Sequence, residues 1–130
     1  MNTMICPFCS PGPDDIVLDN EYSYARFDLN PVSSGHMLII PKRHIQSIFE
    51  TTASERTDLW DLISKAKHLL DEKFSPDGYN IGVNDGQSAG QSIMHLHIHI
   101  IPRYHGDTGD PRGGVRGVIP EKQGYCSADS

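Results

Sequence analysis

The segment His95-Leu96-His97-Ile98-His99 places three imidazoles at every second position of an apolar run. Side chains on a strand alternate between its faces, so these three project to one side and Met94, Leu96, Ile98 and Ile100 to the other. The apolar side belongs against a core. A solvated strand face ordinarily mixes Lys, Glu, Thr and Ser, whereas three side chains that titrate near neutrality need a chemical role. Two chemistries suit the row. His-x-His can offer two imidazoles to one metal ion. Alternatively, one neutral imidazole attacks phosphorus while its neighbours fix its tautomer and donate to the phosphate oxygens. The preceding stretch, Asn84-Asp85-Gly86-Gln87-Ser88-Ala89-Gly90-Gln91-Ser92, supplies amides, hydroxyls and glycines that let backbone N–H groups approach an anion. A catalytic metal would recruit a further carboxylate or imidazole for its open site, so phosphorus chemistry is the preferred reading.

A second reactive group is Cys6-Pro7-Phe8-Cys9, with Cys126 left without an obvious mate. An odd set of three cysteines fits a reducing compartment better than a disulfide scaffold. The pair itself leaves two reduced thiols, a redox couple and a metal site open. Further on, Arg112 and Arg116 lie among glycines in Asp110-Pro111-Arg112-Gly113-Gly114-Val115-Arg116-Gly117. They are either solvated arginines on a surface turn or guanidinium groups reaching a polyphosphate chain or a second nucleotide.

The elements that must position these groups follow from periodicity. Ile16-Val17-Leu18 and Tyr22 to Phe27 read as a hairpin turning near Asp19-Asn20-Glu21. Loop chemistry fills Asp28 to Gly35, and His36 to Ile40 is a buried third strand ended by Pro41. From Thr52 the period changes, with Leu59, Leu62, Ile63, Ala66, Leu69, Leu70 and Phe74 at helical spacing behind a capping box, Thr52-Ala53-Ser54-Glu55. This one long helix stops before Ser75-Pro76-Asp77-Gly78. Tyr79 to Asn84 resumes an extended pattern, and Ile93 to Ile101 is the last strand. Strands gathered around one long helix predict an α+β domain with a mainly antiparallel sheet.

The chain has 130 residues, the size of one domain, and a formal charge of -6. That charge argues against long nucleic acid, whose phosphate backbone needs a basic face. A small phosphate-bearing ligand held by a few focused donors remains compatible with it. No apolar run approaches the ~18 residues of a membrane span, and MNTMICPFCS lacks the pattern of a secretory leader. The expected home is the cytoplasm, with no membrane partner.

The run Gly90-Gln91-Ser92-Ile93-Met94-His95-Leu96-His97-Ile98-His99-Ile100-Ile101 resembles the signature of the histidine triad (HIT) nucleotide hydrolases, three histidines alternating with apolar residues. The resemblance extends through Cys6-Pro7-Phe8-Cys9, Phe27-Asp28-Leu29-Asn30-Pro31, Gly35 to His44 and Asn84-Asp85-Gly86, covering most of residues 4–104. It implies a HIT-like domain over 1–120, a five-stranded, mainly antiparallel sheet with one long and one short helix, and a poorly ordered tail over 121–130. It further implies hydrolysis of a nucleoside phosphoramidate or dinucleoside polyphosphate. His97 would attack the α-phosphorus, and water would then release the monophosphate from the nucleotidyl-histidine. His99 would donate to a phosphate oxygen, with His36 and His95 in support. Asn84, Ser92 and the Gly90 and Gln91 backbone would contact the phosphate and the leaving group. Asp28, eight residues before His36, would accept the ribose hydroxyls, although Asn30 is a rival for that role. Phe8, Phe27, Leu29 and Leu38 would sandwich a purine base, as in an AMP conjugate, or else simply pack in the core.

A base held mainly by apolar contacts would be selected loosely. The chemistry would require no cofactor, but Cys6, Cys9, His44 and His95 would match the structural zinc ligands of some members, and a homodimer is the family's usual assembly. Rival functions are a binding or signalling module with little turnover, a metallohydrolase, and a nucleotidyltransferase. The transferase branch typically carries His-Pro-His, whereas this chain has His97-Ile98-His99.

Overall fold

The computed structural model describes residues 6–124. Five strands, β1 (Leu18–Asp19), β2 (Ser23–Phe27), β3 (Met37–Pro41), β4 (Gly78–Val83) and β5 (Ile98–Arg103), form one antiparallel sheet in the order β1-β2-β3-β5-β4. One long helix, α1 (Ala53–Phe74), joins β3 to β4. The expected α+β class and five-stranded sheet are present. The short helix takes the form of single 3-10 turns, such as Ile48–Glu50 and Gln87–Ala89. No helix among the described residues is long and apolar enough to cross a membrane.

Helix α1 begins where the capping box places it. The Thr52 hydroxyl accepts from the Glu55 N–H at 3.1 Å, and the Glu55 carboxylate accepts from the Thr52 N–H at 2.8 Å. Together these satisfy two of the donors a helix start leaves orphaned. It ends at Ser75, whose left-handed φ of 49° closes the last turn. Leu59, Leu62, Ile63, Ala66 and Leu70 are buried against the sheet. Each of the leucines and the isoleucine contributes roughly 1.5 to 3 kcal/mol by leaving water. Gly35 is required beneath this helix: its φ is +90°, and a Cβ there would come within 2.9 Å of the Phe74 ring.

Strand alternation gives the sheet two unlike faces. Cross-strand register aligns Ala25 with Ile39 and Ile39 with Ile98, and these pack against α1. The neighbouring rung aligns Arg26 with Leu38 and Leu38 with His99 on the opposite face, where Phe8, Tyr24 and Ile40 form a second apolar cluster. Hence the molecule has a helix side that holds it together and an open side that presents functional groups.

The last strand departs from expectation. It runs from Ile98 to Arg103, not from Ile93 to Ile101. The β3–β5 ladder closes at Ile39 and Ile98, and its next hydrogen-bonded rung would set Leu96 against Pro41, which has no N–H to continue the pairing. Leu96 instead donates its N–H to the Ile45 carbonyl at 2.7 Å. Met94, expected on the core side, is consequently 39% exposed. Pro120–Lys122 forms a 3-10 turn at the start of the expected tail, whose residues 125–130 lie outside the described residues.

Candidate active site

Because the ladder breaks before Ile98, the three histidines do not stand in one row. His95 is fully buried, while His97 and His99 are half-buried and line a cavity of about 310 Å³ on the open face. Each ring is fixed by a different partner, and the partners decide the tautomers. His97 Nδ1 lies 2.8 Å from the His95 carbonyl oxygen. A carbonyl only accepts, so Nδ1 carries the proton and the neutral ring keeps its lone pair on Nε2.

His99 is set through a relay. The Val32 N–H donates to His36 Nδ1 at 3.0 Å, so the His36 proton sits on Nε2, which donates to His99 Nδ1 at 3.0 Å. In neutral His99 the remaining proton is therefore on Nε2, a hydrogen-bond donor. Burial, then the charges of His97 and His36, push the His99 pKa down to about 4. Burial lowers that of His36 as well, against the opposing pull of Asp28. Both rings are thus neutral near pH 7. The site juxtaposes one imidazole acting as a lone-pair donor and one acting as a proton donor, the complementary pair that attack on a phosphoryl group requires.

His95 faces away from this cavity. Its Nε2–H donates to the Pro41 carbonyl at 2.8 Å, leaving Nδ1 as the lone-pair atom. Around Nδ1 lie Cys6 Sγ at 3.3 Å, Cys9 Sγ at 3.6 Å and His44 Nδ1 at 3.1 Å, and Cys9 Sγ is 3.0 Å from His44 Nδ1. All four ligand atoms lie within 4.8 Å of one another. Tetrahedral zinc with nitrogen and sulfur ligands spaces them by roughly 3.3 to 3.8 Å. The donor set fits a closed zinc site: two thiols, two imidazoles, and the Pro41 carbonyl that orients the His95 ring behind them. The turn carrying His44 is itself braced. Arg43 makes a two-pronged contact to the buried Glu55 carboxylate at 2.8 and 2.9 Å, and that contact, first among several causes, holds the Glu55 pKa down to about 2.

The remaining expected residues divide by where the sheet puts them. Asp28, Leu29, Leu38, Asn84, Gly90, Ser92 and Phe8 line the cavity, as does Asn30. Asp28 sits 3.5 Å from His36 Nε2, and its other oxygen accepts from the Asn30 N–H. Phe27 is not there. Strand parity turns it to the helix side, where its ring meets Phe74 at 6.3 Å. Gln91 is a brace for the loop: its side chain binds the Gly86 N–H and the Gln46 and Ile93 carbonyls, and its own N–H goes to the Gly86 carbonyl. That N–H is therefore engaged within the loop and turned from the phosphate role expected of it.

Arg112 pairs with Asp110 and Arg116 donates to the Lys122 carbonyl; neither lines the cavity. A roomier cleft of about 520 Å³ near Arg103 offers less, because Asp107 and Asn80 already occupy that guanidinium. Reasoning from the sequence missed Arg26, which lines the cavity, and the main-chain carbonyls of His95 and Pro41. The first was detectable from parity with Leu38 and His99; the carbonyls leave no sequence signal.

A family model of the HIT domain matches residues 11–106. The chain belongs to the HIT family. Among its HIT relatives, the bis(5'-adenosyl)-triphosphatase of Dictyostelium discoideum is 40% identical over 89 residues, 68% of this chain and 60% of that protein. This chain thus spans less than two thirds of that relative's length. A crystal structure of a HIT family member from Bacillus subtilis has a TM-score of 0.72 at 32% identity, covering 90% of this chain and 88% of that one. A zinc-bound histidine triad family protein from Mycobacterium smegmatis has a TM-score of 0.70 at 29% identity, covering 79% and 78%.

Proposed function

We propose that this HIT protein is a cytoplasmic nucleotide hydrolase that cleaves a purine nucleoside phosphoramidate or dinucleoside polyphosphate at the α-phosphate through a nucleotidyl-histidine. The observation that carries the reading is the His97 Nδ1 contact to the His95 carbonyl at 2.8 Å, which aims the Nε2 lone pair while His99 supplies a donor beside it. His97 Nε2 forms a bond to the α-phosphorus as the bond to the leaving amine or phosphate breaks, an amine departing with a proton drawn from solvent. His99 Nε2–H donates to a non-bridging oxygen, where charge accumulates. Water then attacks the same phosphorus and gives a proton back to solvent, the P–Nε2 bond breaks with its electron pair returning to Nε2, and the monophosphate leaves with neutral His97 restored. Asn84 and Ser92 bound the phosphate end of the cavity, and Asp28 accepts the ribose hydroxyls. A relative named as a bis(5'-adenosyl)-triphosphatase supports the substrate class.

Zinc belongs to this reading as a structural ion on Cys6, Cys9, His44 and His95, where it would tie the Cys-Pro-Phe-Cys segment to the backbone that orients His97. A zinc-bound relative of the same fold supports it. A second copy of the chain belongs to it too. Strand β4 is one of the sheet's two edge strands, and Leu59, Trp60, Ile63, Ile81 and Val83 line an apolar groove of about 140 Å³ beside it, with Trp60 65% exposed. Sedimentation of wild type as a dimer and of Trp60→Glu as a monomer is the expected result.

The deciding experiment incubates wild type and His97→Ala with a nucleoside phosphoramidate and a dinucleoside tetraphosphate, following the released monophosphate and any protein-bound nucleotide by mass spectrometry. A covalent adduct on His97 and an inert variant are expected. Turnover by His97→Ala would sink the reading.

A further inference from the structure

The cavity contains one charged group for which phosphate chemistry has no use. Arg26 lies on the same rung as Leu38 and His99, two strand spacings, about 10 Å, from His99. This is the end of the cavity away from β5, walled by Leu38 and by Phe8. The Phe8 ring spans the two ends, 5.1 Å from the His97 ring and 6.0 Å from the Arg26 guanidinium carbon. A nucleotide with its α-phosphate at His97 therefore lays its base along Phe8 and Leu38 with an edge toward Arg26.

Arg26 is only 8% exposed, yet its contacts among the described residues are few: the Asp15 carboxylate at 3.5 Å, the Phe8 ring and the Tyr24 hydroxyl. Tyr24 gives its own proton to the Phe8 carbonyl at 2.6 Å, which fixes the wall against which the base would lie. A guanidinium presents a planar fork of N–H donors, and most of this fork has no acceptor among the described residues. Among the described residues no side-chain nitrogen wholly out of solvent lacks a partner, so the unpaired N–H groups of this fork open onto the cavity, where a ligand's acceptors would replace water. The fork matches two adjacent acceptors, such as O6 and N7 of guanine, whereas adenine sets an N6 amino donor beside N7 and opposes one of the two N–H groups.

We propose that Arg26 selects the base, donating to the O6 and N7 acceptors of a guanine held between Phe8 and Leu38, so that guanine nucleotides are preferred to adenine nucleotides. The proposal rests on the hydrolase reading above and narrows its substrate class, replacing the loose selectivity expected of an apolar pocket. Asp15, 3.5 Å from one guanidinium nitrogen, offsets part of its charge.

The test measures kcat/KM for guanosine and adenosine 5'-phosphoramidates in parallel, and GMP and AMP binding by calorimetry, for wild type, Arg26→Met and Arg26→Gln. Wild type should favour guanosine by about tenfold or more, the discrimination a bidentate pair provides. Arg26→Met should bring the ratio toward one. Arg26→Gln, whose amide complements N6 and N7 of adenine, should move it in favour of adenosine. A wild-type ratio near one, or variants that weaken both substrates equally at an unchanged ratio, overturns base selection by Arg26 while leaving the hydrolase reading standing. If wild type neither cleaves either substrate nor binds either monophosphate, the hydrolase reading fails and the proposal with it.

Discussion

Replacing His36 by Leu should cripple the site without touching His97, the proposed nucleophile. In the wild-type chain the Val32 N–H donates to His36 Nδ1 and His36 Nε2–H donates to His99 Nδ1, each at 3.0 Å, and this sequence alone fixes which nitrogen of His99 carries its proton. Without the His36 ring, His99 loses the bond that favours its Nε2–H tautomer. A net hydrogen bond of about 1 kcal/mol corresponds to roughly a fivefold change in tautomer population. Loss of a preorganised donor to a developing oxyanion costs on the order of 100-fold or more. Since His99 loses both its tautomer bias and its rigid orientation, kcat should fall by about 10- to 100-fold. His36 is 2% exposed but Val32 is 73% exposed, so water can reach the freed Val32 N–H and the stability loss should be about 1 kcal/mol, that of the lost hydrogen bond. The control is His36→Gln, whose amide can accept from Val32 and donate to His99. Initial rates with a nucleoside phosphoramidate, taken well below each variant's Tm, separate the two losses. A His36→Leu kcat within twofold of wild type, or a His36→Gln variant as damaged as His36→Leu, refutes the relay.

Stability should depend on pH through His99. Its folded pKa of about 4 lies below the ordinary 6.5, so the unfolded chain binds the proton more readily, and stability present above pH 6.5 is lost as pH falls toward 4. With allowance for solvent screening at a half-buried ring, the loss at pH 5 is roughly 1 to 2 kcal/mol, seen as a lower urea midpoint than at pH 7; equal midpoints would refute it. Chelation should lower Tm by withdrawing an ion from Cys6, Cys9, His44 and His95 while kcat of the folded protein stays within about twofold, because no step of the chemistry needs a metal. Activity lost in proportion to metal removed, far below Tm, would count against that division. Gly35→Ala should lower Tm by several degrees, since it meets both a φ of +90° and the Phe74 ring; an unchanged melting curve would show that the helix end yields.

Much of the architecture was legible because its causes are local. The α1 boundaries follow from Thr52, Glu55 and the stop before Pro76, and its buried face follows from helical period. Histidine spacing marked a candidate site for the same reason, and His97 and His99 line the cavity. What escaped was decided by contacts remote in sequence. Alternation alone ran the last strand back to Ile93, but the missing N–H of Pro41 and the Ile45 carbonyl end it at Ile98. Phe27 was expected at the base because an aromatic side chain suits a base, yet parity with Ala25 sends it to the helix side and puts Arg26 in the cavity. Gln91 was expected to present its N–H to a ligand, which the Gly86 carbonyl accepts instead.

His95 has two ends that serve different masters. Its ring joins the cysteine cluster, and its carbonyl orients His97. A carbonyl belongs to every residue type, so no substitution at position 95 can delete the atom that orients His97. Mutational drift can displace that oxygen only by moving the backbone, and alanine scanning is blind to it. An amide-to-ester replacement at that linkage weakens the acceptor while keeping every side chain but also removes the Leu96 N–H that donates to Ile45, so its share is read against an ester at the Ile45–Gln46 linkage, which weakens that same bond and leaves the His95 carbonyl intact.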